Sequence, residues 1–211
     1  LVEQQQTMVD MVSRQMDSAL QKRMLDLEKF AGTLHSRTKL HSNRKIQEAL
    51  KQDTLLQSLF NGGLVVLNRQ GISVVDYPMV PNRTGIDFSD RKHLKKARSK
   101  KATVISKPLV GKGLNTPLFA INSPIISASG EILGFIFGVN VLADDNLLKE
   151  ISRQNFSDGG RMMIIDPNLK IFVTDTQTGV PLEGYLKDKH CQCIEAILDG
   201  DQSGISEDLL G

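Results

Sequence analysis

The run from Pro117 to Leu142, PLFAINSPIISASGEILGFIFGVNVL, constrains the fold more than any other part of this chain. It reads as two long strands joined by a tight turn at Ser129-Gly130. Phe119, Ile121 and Ser123 alternate with Ala120 and Asn122. On the return strand Phe135, Phe137 and Val139 point one way, while Ile136, Gly138 and Asn140 point the other. One face must pack on a core. The face carrying Gly134, Gly138 and the Asn140 amide is expected to leave space for something small; a bulge or a close helix crossing explains the same glycines equally well. Ile132 to Ala143 is the longest apolar run, at about twelve residues, and is too short and too glycine-rich to span a bilayer.

The remaining composition is that of a globular chain, with 211 residues, 40% apolar and 24% charged, long enough for one or two domains. A net charge of +2 argues against general nucleic-acid binding, which calls for a basic domain. No signal peptide or transmembrane segment is visible and the chain lacks an initiator Met, so it reads as a piece of something larger. Cys191 and Cys193 would point about 200° apart on a helix, which suits a buried thiol pair better than a bridge. No metal site or cofactor is expected, because His or Cys partners for the two thiols are not evident.

Residues 1 to about 60 contain one glycine, Gly32, and no proline, with many Gln, Lys, Arg, Met and Leu, which is helix composition. Val9, Val12, Met16, Leu20, Met24, Leu27, Ala31 and Leu34 recur at spacings of three and four. A helix of some forty residues would be about 60 Å long. Such a length suits packing along an elongated protein, or pairing with a second copy. A second helix is expected from Ser42, as N-cap, to Phe60, stopped by Asn61-Gly62-Gly63. Two short strands then turn at Arg69-Gln70-Gly71. Tyr77 to Gly85 reads as a polar loop, and a further helix begins near Asp87 or Ser89 and runs to about Arg98.

The second half begins as the first module does. LVVLNRQGISVV (64–75) and MMIIDPNLKIFV (162–173) share an apolar run, Asn or Asp, a turn and an alternating strand. Each is followed by a loop and a helix, and then by a matching strand start, TVIS (103–106) and SGIS (203–206). The first copy continues into the hairpin, whereas the second stops at Gly211 and reads as unfinished.

In this order, the long helix, the strand pair, GIDFSDRKHLKKA (85–97), VISKPLV (104–110), NSPIISASGEILGFIFGVNVL (122–142) and the second strand pair resemble a tandem Cache domain. This is the double PAS-like sensor found outside the membrane in bacterial diguanylate cyclases, histidine kinases and chemoreceptors. The resemblance implies an α+β fold with antiparallel sheets. It divides the chain into a helical stalk at 1–60, a membrane-distal module at 61–150 and a truncated membrane-proximal module at 151–211. It also implies a periplasmic or extracellular position, with transmembrane helices absent from this chain providing the only link to the membrane.

The resemblance makes Arg91 the residue to follow, since in amino-acid-binding members an arginine at this point clamps the ligand carboxylate, a pairing that suits the guanidinium fork. Other positions depart from that signature. His93 and Leu94 stand where an aromatic pair is expected, Ile86 and Leu109 where single aromatics are, and Asn140 where an acid would hold the ligand's amine. A buried ammonium without that acid is costly, so a free α-amino acid is disfavoured and an anionic small molecule is not. Tyr77, Phe119, Asn122 and His93 are the further pocket candidates. Phe119 serves equally well as core, Tyr77 as a loop closure and His93 as a structural hydrogen-bonding residue.

The basic run RKHLKKARSKK (91–101) reads as a solvated helix face, because no aromatic residues interleave it to stack on bases. Gly111-Lys112-Gly113 is not a phosphate loop, and no catalytic constellation is visible, so an enzyme is not expected in this fragment. Two functions remain. One is a ligand-sensing module that acts through the long helix, which would also form a homodimer. The other is a ligand-free scaffold or dimerisation module.

Overall fold

The computed structural model describes residues 2–142, residues 147, 150 and 151, and the strands at 163–166 and 171–175. Its first helix, α1 (Val2–Ala31), ends where Gly32 and Thr33 turn the chain, the Thr33 hydroxyl donating to the Phe30 carbonyl at 2.7 Å. The helix expected over 42–60 is two helices, α2 (Asn43–Gln52) and α3 (Thr54–Ser58). Ser42 caps α2 as expected. Asp53 makes the break, because its Oδ1 accepts the Leu56 N–H at 2.9 Å and offers the backbone an alternative to continuing the helix.

Six antiparallel strands follow: β1 (Gly63–Asn68), β2 (Ser73–Tyr77), β3 (Val104–Ile105), β4 (Leu109–Val110), β5 (Pro117–Ile126) and β6 (Ile132–Val141). They lie in the order β2-β1-β6-β5-β3, with β4 also paired to β5. The expected hairpin is β5–β6. Its turn depends on Gly130 at φ +81 and on Ser127, whose Oγ accepts the Glu131 N–H. The β1–β2 turn is held by Asn68, whose Oδ1 accepts the N–H groups of Gln70, Gly71 and Ile72 at 3.0–3.1 Å. Between β2 and β3 lies α4 (Lys92–Lys100). It starts later than expected, with Arg91 at the N-cap position. Asp87 accepts the Ser89 N–H at 2.7 Å and so builds a turn ahead of the helix rather than its cap. Beyond the sheet, β7 (Met163–Asp166) and β8 (Ile171–Asp175) form an antiparallel pair, as the repeat at 162–173 leads one to expect. The helix from Asp188, the SGIS strand start and Cys191 and Cys193 lie outside the described residues.

The sheet is buried on both faces. On one face, α1, α2 and α3 cover Leu64, Val66, Ile121, Ile125 and Ile136. On the other, α4 and the segments around it cover Val65, Leu67, Phe135, Phe137 and Val139. The α1 stripe from Val12 to Leu34 belongs to the first of these cores, although Val9, like Met8 and Met11, remains exposed. Most of the stripe that suggested pairing with a second copy is therefore turned onto the chain's own sheet.

The glycine-bearing face leaves no space: the neighbour at Gly138 is Phe60, beyond the end of α3, and at Gly134 it is β1, beside a bulge in the β5–β6 pairing between Ile125 and Ile126. A Cβ on Gly138 would overlap the Phe60 ring, and one on Gly134 would overlap the Leu67 carbonyl oxygen. We expect both alanine substitutions to destabilise the protein, at the overpacking scale of roughly 1–3 kcal/mol. Gly134→Ala should be the worse, because a ring can rotate whereas a neighbouring strand must shift. Urea unfolding of the two variants is the check, and equal or negligible losses would show that β1 yields freely.

Candidate ligand-binding site

The space the sequence leads one to expect on the glycine face lies on the opposite one, beside α4. Its floor is Val65 of β1, Leu118 and Ala120 of β5, and Phe137 and Val139 of β6. Phe88 stands at one side, its ring edge-to-face with Phe137 at 5.6 Å and 79°. Arg91 and His93 come from the start of α4, and Leu109, Gly111, Lys112 and Leu114 from the segment that closes over the top. The cavity is about 30 Å³, room for a water or two.

That closing segment is fastened to the approach of α4. Lys112 Nζ donates to the Asp87 carbonyl at 2.8 Å and meets Asp90 Oδ1 at 2.7 Å, while Arg91 Nη2 donates to the Val110 carbonyl at 3.1 Å. The hydrogen bond from Lys112 is the main reason the Asp90 carboxyl titrates below its ordinary range. All three contacts are solvent-exposed, so each is weak and replaceable.

His93 is placed from below by Asn122. The Asn122 Nδ2 donates to the carbonyls of Val104 (3.3 Å) and Ala120 (3.2 Å), which leaves Oδ1 to accept from His93 Nδ1 at 3.0 Å. The Nδ1 proton is thereby fixed, and Nε2 is the ring's remaining nitrogen. The ring packs on Phe137 with centroids 5.4 Å apart. Burial lowers its pKa from the ordinary 6.5 and nearby Arg91 adds to the effect, against the Asn122 hydrogen bond and Asp90, so the imidazole is neutral at pH 7.

The back wall is Arg83, whose guanidinium donates from each of its three nitrogens. Nε donates to Asp76 Oδ2 (2.9 Å), Nη1 to the Gly62 carbonyl (2.7 Å) and Nη2 to the Pro78 carbonyl (2.9 Å). Asp76 also accepts from the Val80 N–H and the Thr84 hydroxyl, so one ion pair shapes the whole loop between β2 and α4.

No family model matches this sequence, and no curated protein matches it. Solved structures do. The ligand-binding domain of the Pseudomonas aeruginosa amino acid chemoreceptor PctC, in complex with GABA, aligns over 86% of this chain and 79% of its own, at 19% identity and a TM-score of 0.64. The ligand-binding domain of the Pseudomonas fluorescens chemoreceptor CtaA with L-alanine aligns over 87% and 75%, at 16% identity and a TM-score of 0.66. An extracellular ligand binding receptor from Desulfohalobium retbaense gives 89% and 33%, 9% identity and a TM-score of 0.68. These likenesses, all at 19% identity or less, show a shared fold, the one that the double Cache resemblance implies. Chemoreceptor domains being the neighbours, they lend no support to a cyclase or kinase output.

Within this double Cache fold the six candidate residues separate by strand parity. Arg91 and His93 line the cleft, and Asn122 lies directly beneath His93. Phe119 belongs to the core under α1, so of its two readings the structural one is where the side chain sits. Asn140 is paired across the strands with Phe119 and faces α1 with it, so it does not stand opposite Arg91. It is 2% exposed, and its Nδ2 has no hydrogen-bond partner among the described residues. Tyr77, at the end of β2, packs half-buried against that same core rather than at the cleft's mouth. The reason is the two-residue period: positions 119 and 122 are an odd number apart on one strand and cannot share a face. The sequence reading did not reach Arg83, Phe88, Lys112 or Phe137 as cleft residues. The cue for Arg83 was Asp76, an acid closing an otherwise apolar strand.

Proposed function

We propose that this chain is the extracytoplasmic small-molecule sensing domain of a bacterial membrane receptor, and that it carries no catalytic activity. The ligand binds in the cleft of the first module, residues 61–150, and the response passes to α1. One observation carries this reading: Arg91 and Lys112 border an apolar cleft whose lining contains no acidic side chain. An anion is the small molecule such a border attracts. Arg91 has one N–H on the Val110 carbonyl and the rest of its fork to offer a carboxylate. A homodimer through α1 belongs to the same reading, with Met8, Val9, Met11 and Leu25 among the apolar residues left exposed to form it. The small volume of the cavity favours the rival, a scaffold that binds nothing.

Thermal-shift screening of organic acids and amino acids separates the two, together with mass spectrometry of the purified and then denatured protein. A ligand at a hundred times its dissociation constant stabilises the fold by roughly 2.7 kcal/mol, which is several degrees for a unit of this size. We expect organic acids to give the largest shifts. A protein that emerges empty and is moved by none of the panel is a scaffold.

A further inference from the structure

We propose that the ligand is a short monocarboxylate whose far end is apolar and uncharged. This inference rests on the reading of the cleft as a ligand site and assigns the chemistry at each end of that site. At the mouth, Arg91 and Lys112 hold the outer segment only through exposed contacts, to the Val110 carbonyl and to Asp87 and Asp90. A carboxylate arriving there exchanges one weak acceptor for a charged one. The interior is different. Its surface is the side chains of Val65, Phe88, Ala120, Phe137 and Val139, which offer hydrocarbon and ring faces.

The one cation at the back, Arg83, adds no attraction for a second anionic group. Each of its three nitrogens already donates at 2.7–2.9 Å, and its charge is matched by Asp76. A second carboxylate carried inward would find no unpaired cation there, because the Arg83 charge is already opposed by Asp76. An ammonium would find no carboxylate, because Asp76 lies behind Arg83, and Asp87 and Asp90 are at the outer latch. Burying either charge without a partner is unfavourable, whereas a methyl end is not. The cavity of about 30 Å³ keeps the body short, since each added carbon must displace the segment at 109–114.

Four molecules with the same four-carbon body test this, each titrated into the whole chain by calorimetry: butanoate, 4-aminobutanoate, succinate and 1-butanol. They share the chain and differ at one end. Butanoate is expected to bind at least about tenfold more tightly than each of the others, a difference of about 1.4 kcal/mol. If 4-aminobutanoate, which the PctC domain binds, or succinate equals or exceeds butanoate, the inference is overturned and the sensor reading stands. If 1-butanol equals butanoate, the anionic head has no anchor and the inference fails. If none of the four binds, the inference also fails, and the wider screen then decides the sensor reading on its own.

Discussion

Replacing Asp76 with alanine is expected to cost the fold roughly 3–5 kcal/mol, the range found when one partner of a buried ion pair is removed. The Arg83 and Asp76 side chains are 2% and 4% exposed, so solvent screens the pair very little. Without the carboxylate the guanidinium stays buried as an unmatched charge, and the Val80 N–H and Thr84 hydroxyl lose their acceptor as well. For a domain of this size the melting temperature should fall by on the order of 10 °C. Combining Asp76→Ala with Arg83→Met should recover part of the loss, because replacing both partners removes the unmatched charge. Urea and thermal unfolding of the single and double variants are the measurement. A single-variant loss below about 1 kcal/mol would mean that water enters and satisfies the arginine.

Arg91→Ala should behave in the opposite manner, leaving the unliganded melting point nearly unchanged while removing ligand binding. In the absence of ligand the side chain makes one exposed hydrogen bond of 3.1 Å, a contact worth at most about 1 kcal/mol. Against a carboxylate it would make two charge-assisted bonds, each worth roughly 1.5–3 kcal/mol. Their loss corresponds to a hundredfold or greater drop in affinity, on the scale of about 1.4 kcal/mol per factor of ten. Calorimetry with the best organic acid from the screen gives the comparison. An Arg91→Ala protein that melts many degrees lower, yet still binds that acid, would make Arg91 a structural residue and leave the anchor to Lys112.

The sequence made some levels of this structure readable and not others, and the hairpin shows where the line falls. The alternation in β5 and β6 was plain, but which face bordered the cleft was not, because both faces are buried and both are rich in apolar residues. Glycines suggested room; in the fold they admit the Phe60 ring and the Leu67 carbonyl. Placing Phe119 and Asn122 in one pocket conflicted with the strand period, a check available from numbering alone. Arg91 and His93 were legible through the family resemblance at 85–97, although the helix that carries them starts later than the sequence suggested. Arg83 was missed, since its one cue, Asp76 at the end of an apolar strand, lies seven residues earlier and across a proline-containing polar stretch.

Strand β5 has a consequence beyond positioning. Leu118 and Ala120 face the cleft, while Phe119 and Ile121, their neighbours on the same backbone, face the core under α1. At the sheet's edge the Thr103 hydroxyl, between α4 and β3, lies 3.0 Å from Glu28 of α1 and 3.1 Å from Ser123 of β5. The two compartments thus share a wall one strand thick, and close-packed walls of this kind pass displacement on rather than absorb it. Coupling across such a wall is symmetric by thermodynamic necessity. Whatever factor a ligand applies to the preferred setting of α1, clamping α1 in that setting applies to the ligand's affinity. A dissociation constant measured with α1 free therefore belongs to the free domain, and holding α1 in that setting would reset it by the same factor with no change to a single cleft residue.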